Sequence, residues 1–123
     1  MRKEKIIAGV ILAIVIIGIT WAISKNNEPG KYDSFATCLK NSDTIFYGAF
    51  WCPHCQSQKK LFGKSAKLLP YVECSSTNGR SMLPVCKDKG IESYPTWVFP
   101  DASKLTGEIA LKTLAEKSNC PLP

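Results

Sequence analysis

Eighteen consecutive residues without a formal charge, Ile6 to Ile23, divide this 123-residue chain into two unequal parts. At about 1.5 Å of rise per residue, a helix over that run nearly crosses a hydrocarbon layer of about 30 Å. Arg2 and Lys3 stand before it, so the positive-inside rule puts residues 1–5 in the cytoplasm and the rest of the chain on the far side of the membrane. A cleaved signal peptide has a shorter apolar region ending in a small-x-small site, which Thr20-Trp21-Ala22 imitates only weakly. The length therefore favours an uncleaved transmembrane anchor over residues 6–24. No cysteine stands close behind the run, so lipid attachment is not indicated.

Residues 25–32, with Asn26-Asn27-Glu28-Pro29-Gly30, read as a polar linker broken by Pro-Gly. Residues 33–123 have room for one domain of ordinary small size. The net charge is +6, and Arg2, Lys3, Glu4 and Lys5 account for two of those charges. The remainder is modest and reads as a solvated basic surface. With no Arg-rich strip and no interleaved aromatic platform, nucleic acid is not expected as a partner. Six cysteines in a domain with a small core point to covalent cross-links, which persist in an oxidising compartment outside the cytosol.

Along the domain, Asp33 or Ser34 caps a short helix through about Lys40, with Phe35, Cys38 and Leu39 near one face. Thr44 to Phe50 lacks charge and suits a buried central strand. A helix from Pro53 to about Phe62 comes next, bending at Gly63 before Ser65 to Leu69, and its lysines, Lys59, Lys60, Lys64 and Lys67, read as a solvated face. Tyr71-Val72-Glu73 is a short strand, Asn78-Gly79 a turn, and Met82 to Lys89 a short helix closed by Gly90. Thr96 to Phe99 is another apolar strand in which Trp97 packs. A weaker strand near Lys104-Leu105 precedes a last helix from about Ala110 to Lys117. Helices alternating with strands predict an α/β domain, a sheet with helices on both faces.

Ala49-Phe50-Trp51-Cys52-Pro53-His54-Cys55 carries the chemistry. Cys52 is expected to cap a helix with Pro53 at its first position, where a missing N–H costs nothing. Cys55 then lies one turn along the same face. The positive helix end favours a thiolate at Cys52, and a protonated His54 favours it further. A dithiol whose reduced form is stabilised is the better oxidant, so the motif points toward disulfide donation. A Cys-x-x-Cys pair can instead begin a zinc site, but the chain has no second close pair or suitable histidines after it. Haem attachment needs a histidine where Gln56 stands. No metal and no cofactor is expected.

With a strand before the dithiol, a helix after it and a distant Tyr94-Pro95-Thr96 preceded by Gly90-Ile91, the chain resembles the thioredoxin superfamily from about Asp33 to Lys117. The resemblance implies a thioredoxin-like three-layer sandwich with a central mixed β-sheet. It also implies a cis Pro95 opposite the dithiol and a Tyr94 backbone that pairs with an extended substrate held in mixed disulfide with Cys52. Trp51 is expected to shape and cover the site. Six residues before the first cysteine, thioredoxins carry a buried acid thought to help deprotonate the second; this chain has Phe46, so a thioredoxin-like reductase mechanism is less well supported.

Gly48 to Cys55, Lys60-Leu61-Phe62-Gly63, Glu73-Cys74, Cys86 and Tyr94 to Trp97 more closely resemble the thioredoxin-like domains fused to, or partnered with, homologues of vitamin K epoxide reductase. Such domains take electrons from protein thiols and pass them to a quinone-linked membrane reductase. No four-helix reductase lies within these residues, so the resemblance implies a separate membrane partner. It also implies a structural disulfide between Cys74 and Cys86, with a relay pair feeding Cys52 as the alternative. Cys38 and Cys120 then pair by elimination. Four cysteines permit three connectivities, however, and the thioredoxin layering can put the first and last helices on opposite faces of the sheet.

Overall fold

The computed structural model describes residues 1–123. Helix α1 spans Arg2–Asn26, and none of its residues is buried. Its branched aliphatic side chains point to every side, so no single stripe is offered to a soluble core. A helix pairs its own backbone groups, and this one is long and apolar enough to cross a membrane. Beyond it, the Gly30 N–H donates to the Asp33 carboxylate at 3.0 Å and the Tyr32 N–H to Ser65 Oγ at 3.0 Å, which ties the entry of the domain to its own surface.

Helix α2 spans Asp33–Asn41 and buries Phe35, Ala36 and Leu39. Its cap position is Tyr32, without a side-chain bond, rather than the expected Asp33 or Ser34. The Asp33 carboxylate is engaged by Gly30 instead, one residue inside the helix. Strand β1, Ile45–Gly48, ends sooner than the expected Phe50, because a turn in which the Cys52 N–H bonds the Ala49 carbonyl at 3.1 Å takes the chain out of the ladder. Helix α3, Pro53–Leu61, and a 3₁₀ segment, Gly63–Leu68, lead back to β2, Tyr71–Glu73. Helix α4 is only Pro84–Lys87, shorter than Met82 to Lys89, since Pro84 takes the first helical position and holds Leu83 extended. Strands β3, Thr96–Val98, and β4, Lys104–Thr106, precede α5, Leu111–Ser118, which closes on Asn119 in the left-handed conformation.

The four strands lie in the order β2-β1-β3-β4. β1 runs parallel to β2, a pairing that needs a crossover, supplied here by α3 and the 3₁₀ segment, and antiparallel to β3, which pairs antiparallel with β4. This is the mixed sheet with flanking helices that the sequence predicts.

Alternation along β1 divides the interior in two. Phe46 faces the larger cluster with Trp97, Phe35, Leu39, Phe62 and Leu114, so α2, α3 and α5 all contribute to one side. Phe46 stacks on Trp97 at 4.6 Å and Phe35 on Phe62 at 5.7 Å. Tyr47 points the other way, to a smaller cluster with Cys74, Cys86 and Ile91. Each cluster carries one disulfide. Cys38 of α2 is joined to Cys120 just beyond α5, across 82 residues, and Cys74 to Cys86 across 12. The first and last helices of the domain thus share a face.

The longer loop removes more freedom from the unfolded chain. Full-length Cys38→Ser/Cys120→Ser protein in detergent should lose about 4 to 5 kcal/mol in urea denaturation, and Cys74→Ser/Cys86→Ser about 3 kcal/mol. Equal losses, or the reverse order, would show that native-state packing rather than chain entropy sets the contribution.

Candidate active site

β1 aims the chain at the sheet's end, and the Ala49–Trp51 turn places Cys52 at the start of α3. Cys52 is extended, with φ −77° and ψ 117°, and Pro53 takes the first helical position. The Cys55 N–H donates to Cys52 Sγ at 3.3 Å, so the sulfur does what an oxygen does at an ordinary helix cap. Both thiols are free. Cys52 retains a sliver of exposure, 4%, and Cys55 has none.

This difference governs the chemistry. Burial pushes the Cys55 thiol up to about 12, and the neighbouring Cys52 sulfur adds to the effect, while the Ala49 backbone and the Lys59 charge pull the other way. Cys52 lies at the rim and at the positive helix end.

Trp51 is half exposed and meets the Tyr94 ring edge-on, with centroids 6.0 Å apart, while its Nε1 donates to Ser75 Oγ at 2.8 Å. The Tyr94–Pro95 bond is cis and Pro95 is fully buried. Burial raises the Tyr94 hydroxyl, and Glu73 and both thiols raise it further, which marks it as a near neighbour of the dithiol. The structure therefore gathers Trp51, Cys52, Pro53, Cys55, Tyr94 and Pro95. His54 is turned away: its Nδ1 lies 2.8 Å from Glu108 Oε1, on an exposed surface.

The four remaining cysteines stand apart. Cys74 hydrogen-bonds through its N–H to the Gly48 carbonyl at 2.8 Å, yet its side chain and Cys86 lie in the cluster on the opposite face of the sheet, both fully buried. Cys38–Cys120 links α2 to the end of α5.

Sequence reasoning missed Glu73 and Glu108. Glu73 Oε1 accepts from the Phe50 N–H at 3.2 Å and the Ser75 N–H at 2.9 Å, and Oε2 accepts from the Tyr71 hydroxyl at 2.8 Å. One carboxylate thus fixes the turn before Cys52 and the loop after β2. The signal available was a lone charge ending a strand that pairs with a glycine, since Glu73 lies opposite Gly48. The lysines of α3 also need correction: Lys59 is not a free solvated charge but lies 3.5 Å from the centroid of the Tyr71 ring. Phe46 is fully buried against Trp97 and brings no acid to the dithiol.

The site thus holds one fully buried free thiol beside one that caps a helix. The chain is similar to thiol-disulfide oxidoreductase LTO1 of Arabidopsis thaliana. Identity is 48% over 104 residues, which cover 81% of this chain and 27% of LTO1. The chain thus spans little more than a quarter of the length of LTO1. It matches no protein-family model. The likeness to LTO1 and the free dithiol together support a redox function.

With the sulfur buried, its proton should leave late. In Cys52→Ser protein the ultraviolet thiolate absorbance of Cys55 is expected to stay flat through neutral pH and rise only above about pH 10. Because an unfolded thiol ionises near 8.5 and the folded one well above it, stability from this group is full below about pH 8 and is lost as pH climbs toward 12. An absorbance midpoint near 8.5 would contradict the burial effect.

Proposed function

We propose that this chain is a membrane-anchored thiol-disulfide oxidoreductase that exchanges disulfides with protein thiols through Cys52 and Cys55. The observation that carries it is the capping bond from the Cys55 N–H to Cys52 Sγ, with one sulfur at the rim and the other enclosed. Cys52 forms the mixed disulfide with the client, and Cys55 closes or reopens the internal disulfide. Trp51 and Tyr94 border the sulfur, and the backbone at Tyr94–Pro95 offers an extended client an edge to pair with. Helix α1 supports residues 6–24 as the anchor, and the basic residues before it support an extracytoplasmic domain.

Disulfide donation is the favoured direction. A sulfur at a positive helix end is a general means of favouring a reduced dithiol and so of making its disulfide form the stronger oxidant, and Cys52 Sγ occupies that position at the start of α3. Electrons collected from clients would then pass to a quinone-linked membrane reductase of the vitamin K epoxide reductase type. That assignment rests on the resemblance of Gly48–Cys55, Cys74, Cys86 and Tyr94–Trp97 to the partner domains of such reductases. One observation favours a second reading, a reductase or isomerase: His54 is paired with Glu108 on an exposed surface and is directed away from the dithiol.

Cys52→Ser should abolish oxidation of a reduced peptide, and Cys55→Ser should accumulate mixed disulfides with clients. Parent-level turnover in Cys52→Ser protein would overturn the exchange reading. The reduction potential of the Cys52/Cys55 couple decides direction: a value far above that of thioredoxin, about −270 mV, is expected, and one close to it would favour the reductase.

A further inference from the structure

Cys55 and Lys59 stand four residues apart on α3, the spacing that puts two side chains on one face. The Lys59 ammonium lies 3.5 Å from the centroid of the Tyr71 ring, which reaches over from β2. The same ring borders the dithiol. A Cβ at Gly48 would stand 2.9 Å from Tyr71 Cε2 and 3.0 Å from Cys55 Sγ, so only a glycine lets ring and sulfur close in on this side. Tyr71 is held from its far end as well, since its hydroxyl donates to Glu73, whose other oxygen is occupied by the Phe50 and Ser75 N–H groups. A cation, an anchored aromatic ring and a buried thiol are thus packed in sequence.

Thiol-disulfide exchange requires the Cys55 sulfur to carry negative charge, as attacking thiolate in one direction and as leaving group in the other. In a fully enclosed site that charge is costly. We propose that Lys59 is a positioning residue for this exchange: its ammonium, seated on the Tyr71 ring, stabilises the negative charge that Cys55 bears while its bond to Cys52 forms or breaks. The inference rests on Cys52 and Cys55 being the exchange centre. The titratable groups facing Cys55 are Cys52 at the cap of α3, Lys59 on α3, Tyr71 from β2 and Tyr94 before β3. Lys59 is the positive one among them. The tyrosines are kept neutral by burial first, and Glu73 sits beyond the Tyr71 hydroxyl.

In the step concerned, Cys55 gives its proton to water and its thiolate attacks Cys52 Sγ in the mixed disulfide. The bond from Cys52 to the bound thiol breaks, its electron pair leaves with that thiol as a thiolate, and the Cys52–Cys55 disulfide forms. Cys55 is oxidised and the departing sulfur reduced.

The test uses the reduced full-length protein in detergent and dithiobis-nitrobenzoate. The first thionitrobenzoate released reports attack by Cys52, and the second reports expulsion by Cys55. Lys59→Gln should slow the second release about tenfold at neutral pH and displace its rate–pH profile upward by about one unit. Lys59→Arg should behave as the parent does. Lys60→Gln, which removes an equal charge from the exposed neighbour, should leave the profile in place. An unchanged profile in Lys59→Gln, or a Lys59→Arg protein as slow as Lys59→Gln, would overturn the proposal while the first release still certifies the dithiol. A parent protein that releases no second equivalent would overturn the exchange reading itself, and this inference with it.

Discussion

The hydrogen bond from the Cys55 N–H to Cys52 Sγ is the contact on which the rest of the site depends. A helix start leaves donors without intrahelical partners, and a sulfur supplies one of them here. Because the cap is itself a reactive sulfur, anything that fixes the start of α3 also fixes the chemistry. Pro53 sets the first helical turn, β1 sets the direction of approach, and Glu73 holds the turn between them through the Phe50 N–H. The second sulfur is carried inward by the same turn of helix and reaches the core beside Gly48. One local interaction thereby yields two sulfurs with opposite surroundings.

A domain with little apolar volume supports that interaction. Its larger cluster is built around Trp97, whose ring meets Phe46 from the sheet on one hand and Phe62 from the end of α3 on the other. The opposite face offers only a short helix and a loop, and there the Cys74–Cys86 disulfide takes the central place beside Tyr47 and Ile91. Cross-links are effective in such a domain because each constrains an unfolded chain that a small core opposes weakly. The Cys38–Cys120 bond closes most of the domain into one loop, with its ends on the face that also carries the dithiol's helix.

Much of this is legible in the sequence because it is local. Uncharged, β-branched Thr44–Phe50, the Cys-Pro pair that starts a helix, and the apolar spacing of Phe35 and Leu39 each announce an element within a few residues. Element ends are less legible, since they depend on contacts from elsewhere. Asp33 looks like a cap until Gly30 claims its carboxylate, and the strand through Phe50 looks continuous until the Ala49–Cys52 turn bends it. The site's charges are the least legible. Glu108 reaches His54 across 54 residues and Glu73 reaches Phe50 across 23, separations in sequence that only the tertiary fold closes. Lys59 reads as one of four solvated lysines because nothing near it in sequence reveals that Tyr71 will pass beneath it.

The balance of charges decides what the two sulfurs do. Cys52 Sγ caps the positive end of α3, and the His54 imidazole is paired outward with Glu108 on an exposed surface, where such a pair contributes little to stability. At Cys55 burial opposes the thiolate, and the opposing cation lies just one helical turn away. The redox poise of a dithiol depends on how far both thiolates are stabilised relative to the disulfide.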